Sequence, residues 1–383
     1  MVPVDQHAEF RRQLLGWFRQ FQRDLPWRRT KDPYRIWLSE IMLQQTRVAA
    51  AIPYYERFLL QFPDIHSLAE APPDEVLRLW SGLGYYSRAR NLQQAAQRIA
   101  AIHAGVFPST YADTLALPGI GAYTVAAILS IAFGAKHAVL DGNVARVIAR
   151  IGAIRGDLRE GRRWQSLQIF ADNLLDEKAP GDWNQAMMEL GATLCTPRSP
   201  ECLLCPVSQF CEARKLGTQE EIPEKRKKRA SVEITLAAAV LVDAEGQTLL
   251  LSPPGKSNTK SAADDVARLV SQMWHFPTIS VKRNAEVELH QFLAKLFPGK
   301  ESKSFRLERL RKAKHSVTYR DITIFPFRVS LKKLPKAASG QSEIKIVPLS
   351  GVSSVTVSNL TRKVARVAEQ FHAQNLEGLI DRR

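Results

Sequence analysis

The stretch "LPGIGAYTVAAILSIAF", Leu117 to Phe133, decides the fold of the first half of this chain. A Pro-Gly-x-Gly turn runs straight into an apolar helix. Glycines there permit a positive φ and let the backbone come close to a ligand. The helix opens with unpaired N–H groups, which suit a phosphate oxygen. Alone, such a turn is most often a tight connection between helices. Here the segment before it, "TYADTLAL", also has a helical texture. The whole therefore predicts a helix–hairpin–helix around Gly119 and Gly121.

Working outward, residues from 8 to 212 show apolar side chains recurring at three and four, with breaks at Pro and Gly such as "FPDI", "APPDE" and "VFPST". No two-residue alternation interrupts them. This half is expected to be almost wholly helical. Within it, "WLSEIMLQQT" (37–46) sets Glu40 among large apolar residues of one helix. An acid in such a setting is costly unless it is paired or holds a proton. In "VLDGNVARVIARIG" (139–152), Asp141 precedes an apolar-striped helix. Asp at a helix start is an ordinary N-cap; its position after the hairpin favours a catalytic role as well.

The four cysteines, Cys195, Cys202, Cys205 and Cys211, all fall in one short segment spaced Cys-x6-Cys-x2-Cys-x5-Cys. A disulfide framework belongs to small secreted domains, which this chain is not. Four clustered thiols read as a metal or iron–sulfur site. Thiolate chemistry alone does not choose between tetrahedral zinc and a cubane cluster. The single unequal array favours 4Fe–4S.

The texture changes after residue 213. "GTQEEIPEKRKKRASVE" (217–233) is polar and charged, and reads as a linker with a basic patch suited to phosphate. Strand-like runs follow, "EITLAAAVLVD", "TLLLSPP" and "SVTYRDITIFPFRVS". "DDVARLVSQMW", "EVELHQFLAKLF" and "SNLTRKVARVAEQFHAQ" are predicted helices. The expectation is a separate α+β domain. The boundaries are 1–215 for the helical domain, 216–231 for the linker and 232–383 for the second domain.

The bulk numbers agree with this organisation. The chain has 383 residues, 45% hydrophobic and 24% charged, with a net charge of +16. That is a soluble chain of ordinary composition whose charge points to a polyanionic partner. No apolar run is long enough for a transmembrane helix, and the start lacks an apolar signal core. The expected compartment is the cytoplasm.

Together and in this order, these motifs resemble the helix–hairpin–helix DNA glycosylases that carry an iron–sulfur cluster. The resemblance is to the MutY-type adenine glycosylases in particular. It is carried by "LPWRRTKDPYRIWLSEIMLQQTRV", "LWSGLGYYSRARNLQQAA", "LPGIGAYTVAAI", "DGNVARV" and "WNQAMMELGATLCTPRSPECLLCPVSQFC". It covers nearly all of residues 8–212. It implies removal of adenine mispaired with 8-oxoguanine or guanine in double-stranded DNA, one 4Fe–4S cluster on the four cysteines, a monomer, and a Nudix-like C-terminal domain. Residues 231–383 lack the Gly-x5-Glu…Arg-Glu-x2-Glu-Glu stretch of a pyrophosphatase, so that domain is expected to bind rather than hydrolyse.

The resemblance also implies roles. Glu40 is the general acid that protonates adenine N7, and Asp141 the carboxylate that stabilises the oxocarbenium-like sugar. Apolar neighbours favour the proton on Glu40, and helix-start N–H groups favour the anion at Asp141. Tyr123 and Asn143 orient these acids and the sugar. Endonuclease III-like relatives have Lys where this chain has Tyr123. A phenol cannot form the Schiff base that leads to strand cleavage, so a monofunctional enzyme is expected. The alternative is an endonuclease III-like pyrimidine glycosylase with lyase activity; a zinc-stapled DNA-binding protein is the reading from another class. Arg23, Trp27, Arg28, Leu43 and Gln185 match residues around a flipped adenine. Gln45 and Tyr85, with Leu83 close by, match side chains that enter the base stack. Thr318, in Val317-Thr318-Tyr319, stands where the family usually has Phe-Ser-His, and is expected to bond the edge of the lesion.

Overall fold

The computed structural model describes residues 2–224, 230–252, 273–298, 305–317, 319–336 and 343–380, with side chains up to residue 371. The chain forms two compact units. One holds Met1–Pro73 with Arg88–Lys228, the other Asp74–Ser87 with Arg229–Arg383.

The first unit is helical, as the three-and-four spacing predicts. In chain order the helices up to the linker are α1 (His7–Phe21), α2 (Pro33–Leu43), α3 (Val48–Gln61), α4 (Ile65–Glu70), α5 (Pro73–Leu79), α6 (Ser87–His103), α7 (Tyr111–Leu115), α8 (Ala122–Phe133), α9 (Gly142–Ile151), α10 (Gly161–Leu174), α11 (Pro180–Thr193) and α12 (Glu212–Lys215). Helix α2 is set by its start. The Asp32 side chain accepts from the Tyr34 N–H at 2.9 Å, and Pro33 occupies the first turn, where its missing N–H costs nothing. From Ile36 to Met42 every residue of α2 is buried, Trp37 and Leu38 completely. Each such large apolar side chain contributes about 1.5–3 kcal/mol by leaving water. Helix α8 is buried from Thr124 to Ile131 and α9 from Val144 to Ile151, so both run through the core rather than along its surface.

The hairpin expectation is met. Helices α7 and α8 flank the turn, and Gly119 sits at φ +77°. A Cβ at Gly119 would approach the Asn91 Cβ to 2.7 Å, so glycine is needed there both for conformation and for space.

Among its described residues, the second unit is a seven-stranded mixed sheet with helices. Its strands are β1 (Val232–Val242), β2 (Gln247–Leu251), β3 (Thr278–Ser280), β4 (Glu308–Arg309), β5 (Ala313–Val317), β6 (Arg320–Ser330) and β7 (Ile344–Pro348). The order is β4-β6-β1-β2-β7, with β3 on β1 and β5 on β6. Strands β1 and β6 pair in parallel along eleven residues, Val232 with Arg320 through Val242 with Ser330. The other pairs are antiparallel. Among the described residues, two helices cover the faces, α13 (Ala285–Leu296) and α14 (Asn359–Ile380). On β1, Leu236, Ala238 and Val240 pack towards Leu360, Val364 and Ala365, while Ala237, Ala239 and Leu241 pack towards Leu289 and Leu293. Burial on both faces explains why β1 reads as an unbroken apolar run.

The α+β expectation holds. The run "SVTYRDITIFPFRVS" is not one strand: β5 ends at Val317, Tyr319 lies in the turn and β6 returns antiparallel. Thr318, the expected helix "DDVARLVSQMW" up to residue 272 and most of the basic run "EKRKKR" lie outside the described residues. The segment 74–87, expected with the helical half, groups with the sheet. Thr356 Oγ1 donates to the Asp74 carbonyl at 3.1 Å, Lys345 pairs with the Asp74 carboxylate at 3.5 Å, and Arg362 donates to Ser81 Oγ. No helix among the described residues is long and apolar enough to cross a membrane.

Candidate active site and thiol cavity

A cavity of about 550 Å³ opens in the first unit between α2, α8, α9 and α11. That is the size of a small-molecule or single-base pocket. Glu40 and Tyr123 line it from α2 and α8, and Asp141 and Asn143 from the start of α9. Arg23, Trp27, Arg28, Leu43, Gln45 and Gln185 line it as well. The fold thus brings the expected acid, its partner and the expected base contacts to one place. Leu83, Tyr85, Gly119 and Gly121 are not among its walls.

Glu40 is 7% exposed. Burial pushes its carboxyl up to about 7; the hydrogen bond from Tyr123 opposes this, Asp141 adds to it, and Arg28 opposes it. The Tyr123 hydroxyl lies 2.8 Å from Glu40 Oε2 and 3.1 Å from the Met188 sulfur. Burial also holds the Tyr123 phenol well above its ordinary range.

Asp141 is both cap and pocket wall. Its Oδ1 accepts from the N–H of Asn143 at 2.9 Å and of Val144 at 2.7 Å, and Oδ2 accepts from Asn143 Nδ2 at 3.1 Å. The routine N-cap and the functional reading are compatible, because the cap fixes the carboxylate at the rim of the cavity. Asn143 is held in turn by Arg146, whose Nη2 donates to Asn143 Oδ1 at 3.0 Å and to the Gly191 carbonyl at 2.7 Å. A Cβ at Gly191 would come within 2.9 Å of the Asn143 Cβ, so glycine lets α11 approach α9 here.

Of the lining residues that the sequence reading did not single out, one is a buried acid. Glu189, 1% exposed, accepts from Arg23 Nε and Nη2 at 2.7 Å each and from Arg28 Nη2 at 2.8 Å. Burial acts to raise its carboxyl, but the two guanidinium groups overcome this and pull it down to about 2. Both arginines are therefore engaged with this carboxylate while they line the cavity. The signal was available in "AMMELG": it is again an acid inside an apolar helical run.

Five of the described residues other than glycine are left-handed, Ala104, Ala153 and Ser199 together with Gln45 at φ +58° and Tyr85 at φ +49°. Gln45 and Tyr85 are exposed, Tyr85 to 41%. Backbone strain of this kind persists where surrounding structure enforces it, and it gathers at functional loops. Leu83, by contrast, is buried.

The four cysteines line a second, smaller cavity with Arg150 and Leu190. Burial pushes the Cys205 thiol up to about 12 and also raises Cys202 and Cys211. Among the described residues no group of three His, Cys, Asp or Glu is placed to hold a single metal ion, but four thiols around one cavity are the donor set of an iron–sulfur cluster. Arg150 Nη1 lies 3.3 Å from the Cys195 sulfur and donates to the Thr196 carbonyl at 2.7 Å. Arg146 Nε donates to the Cys195 carbonyl at 2.9 Å.

Residues 38–170 match the HhH-GPD superfamily of base excision DNA repair proteins, and residues 195–211 the iron–sulfur binding domain of endonuclease III. The chain is similar to the adenine DNA glycosylase of Homo sapiens, 47% identical over 229 residues, which are 57% of this chain and 42% of that protein. It is also similar to the adenine DNA glycosylase of Buchnera aphidicola from Acyrthosiphon pisum, 40% identical over 221 residues, 57% of this chain and 63% of that protein. The matches thus span less than two-thirds of either relative. Among solved structures, a thermostable thymine-DNA glycosylase is 29% identical with a TM-score of 0.51, covering 55% of this chain and 98% of its own. The hairpin region and the cysteine segment are thus the parts of this chain that are similar to the HhH-GPD superfamily of base excision DNA repair proteins and to the iron–sulfur domain of endonuclease III.

Proposed function

We propose that the protein is a monofunctional adenine DNA glycosylase acting on adenine opposite 8-oxoguanine or guanine in double-stranded DNA. The observation that carries this reading is the pair of carboxylates on one cavity: Glu40, buried and held near pH 7, and Asp141, tied to helix-start N–H groups. The adenine leaves the stack and enters the cavity, because its glycosidic bond is shielded within the duplex. Glu40 transfers its proton to adenine N7. The C1′–N9 bond then breaks, its electron pair going to the protonated base, and Asp141 stabilises the cationic sugar until water attacks C1′ and gives its proton to the Glu40 carboxylate. Tyr123 orients Glu40, and Asn143 orients Asp141. Trp27, Leu43, Gln185 and the Arg23–Arg28–Glu189 group form the walls against the base.

Cys195, Cys202, Cys205 and Cys211 hold one 4Fe–4S cluster, which ties residues 195–211 into the helical unit. Gln45 and Tyr85 enter the stack, and Gly119 and Gly121 meet the backbone. Residues 232–383 form a Nudix-like lesion-reading domain, with Thr318 at the lesion edge. The protein acts as a monomer in the cytoplasm. The reading is supported by the similarity to the adenine DNA glycosylases and by the absence of a lysine at the Tyr123 position.

The test is base release from a duplex carrying A opposite 8-oxoguanine, followed with and without alkali. Free adenine and strand breaks only after alkali are expected. Breaks without alkali would instead indicate the lyase chemistry of an endonuclease III-like enzyme.

A further inference from the structure

Helix α2, which carries Glu40, ends in an unusual way. Its last carbonyls need donors, and the residue beyond the cap normally supplies them by turning left-handed, a position that glycine fills best. Here Gln44 is the cap and the left-handed residue is Gln45, at φ +58°. A side chain other than glycine at this place breaks the local rule, and such breaks occur where function demands the side chain. The compensation comes from Arg88, in the first turn of α6 and 8% exposed. Its Nη1 donates to the carbonyls of Ile41 at 2.8 Å, Met42 at 3.0 Å and Gln44 at 2.6 Å. Its Nη2 donates to Thr46 Oγ1 at 3.3 Å. The guanidinium thus grips the turn on both sides of Gln45, and its charge faces the negative end of the α2 dipole.

We propose that Arg88 is a positioning residue that holds the Gln44–Thr46 turn in the shape in which Gln45 enters the base stack; this rests on the glycosylase reading above. Arg88 touches no reacting atom. It acts through Gln45, and its planar fork is what lets one side chain reach both flanks of the turn. A lysine at 88 offers a single ammonium and keeps only part of the grip.

The experiment compares wild type, R88K, R88M, Q45A and R88M/Q45A in the full chain. One readout is single-turnover adenine release from the A:8-oxoguanine duplex. The other is fluorescence of a 2-aminopurine beside the target, which reports unstacking. R88M is expected to slow release by about 10²-fold and to lose the unstacking signal. R88K is expected to be intermediate, and affinity for undamaged duplex to be unchanged. The double variant is expected to be no slower than R88M, because both changes remove the same action. Wild-type rates in R88M, or losses that multiply in the double variant, would overturn the proposal. Should R88M fail to fold, R88K and R88K/Q45A answer the same question of additivity. If wild type releases no base, the glycosylase reading fails; the fluorescence of the same variants still decides whether Arg88 and Gln45 act as one.

Discussion

The Tyr123 hydroxyl donates a 2.8 Å hydrogen bond to Oε2 of Glu40, joining α8 to α2 at the floor of the large cavity. Two opposed effects meet in that contact. Burial favours the proton on Glu40, and the phenol's hydrogen bond favours the anion. The balance leaves the carboxyl at about 7, where it can both hold and give a proton near neutrality.

A pH profile follows from that balance. A general acid works only while protonated, so the single-turnover rate should be level at low pH and fall as pH rises through about 7. In Tyr123→Phe the bond that lowers Glu40 is gone, and the falling limb should move to higher pH. A limb that stays in place or moves down would remove Tyr123 from the tuning of Glu40.

Glu40→Gln should cut adenine release by about 10²–10⁴-fold while duplex affinity is kept, as measured by single-turnover kinetics and a binding isotherm. The same substitution should stabilise the fold in a defined window. The folded carboxyl titrates at about 7 and the unfolded one at 4.5, so between these values the native state binds more protons. Stability of the wild type therefore falls as pH rises through the window, by on the order of 3 kcal/mol in all. Glutamine removes that loss. Thermal melts should show Glu40→Gln gaining on wild type above pH 7 and not below pH 4.5.

Much of this site was legible in the sequence, for a physical reason. An acid within an apolar helical run is costly, so Glu40 stood out without any structure. Glu189 satisfies the same test in "AMMELG"; what the sequence does not reveal is its partners, because Arg23 and Arg28 lie far away in the sequence and only folding brings them together. Arg88, Arg146 and Arg150 were invisible for the opposite reason. Arginine on a helix reads as a solvated face, and nothing local reveals that Arg150 is 2% exposed or that Arg88 grips the end of another helix. The β5–β6 reversal between Val317 and Arg320 was hard to place, because a β-branched and aromatic run carries no glycine or proline to mark it.

Glu189→Gln should be strongly destabilising. The change leaves two guanidinium groups against a neutral amide in a buried place, and breaking such a set costs about 3–5 kcal/mol. Arg23 is 39% exposed and can turn to water, which favours the lower end. The wild-type carboxyl lies at about 2, below its ordinary 4.5. Its stabilisation is therefore present above pH 4.5 and lost as pH falls towards 2. Denaturant titrations should find the gap between Glu189→Gln and wild type wide at neutral pH and closing in acid. A gap that does not change with pH would mean that the ion pairs contribute little.

Cys205→Ser tests the thiol cavity and its tie to the pocket together. The purified wild type should be yellow-brown and contain iron and sulfide in equal amounts; a colourless protein holding zinc would overturn the cluster assignment. In Cys205→Ser the colour and iron should fall, and residues 195–211 should become open to protease, because burial that disfavours the thiolate is no longer offset by a cation. Adenine release should fall too, although no cysteine lines the cavity that holds Glu40. The path is short: the Cys195 carbonyl accepts from Arg146, Arg146 holds the Asn143 side chain, and Asn143 holds Asp141 Oδ2. Releasing the first of these contacts leaves Arg146 free to move and Asp141 with one bond less to fix it. Cys205→Ser should therefore lower the maximal single-turnover rate without moving its limb near pH 7, since Glu40 and Tyr123 are untouched. A shift of that limb would show that the damage had spread to the whole pocket rather than along this path.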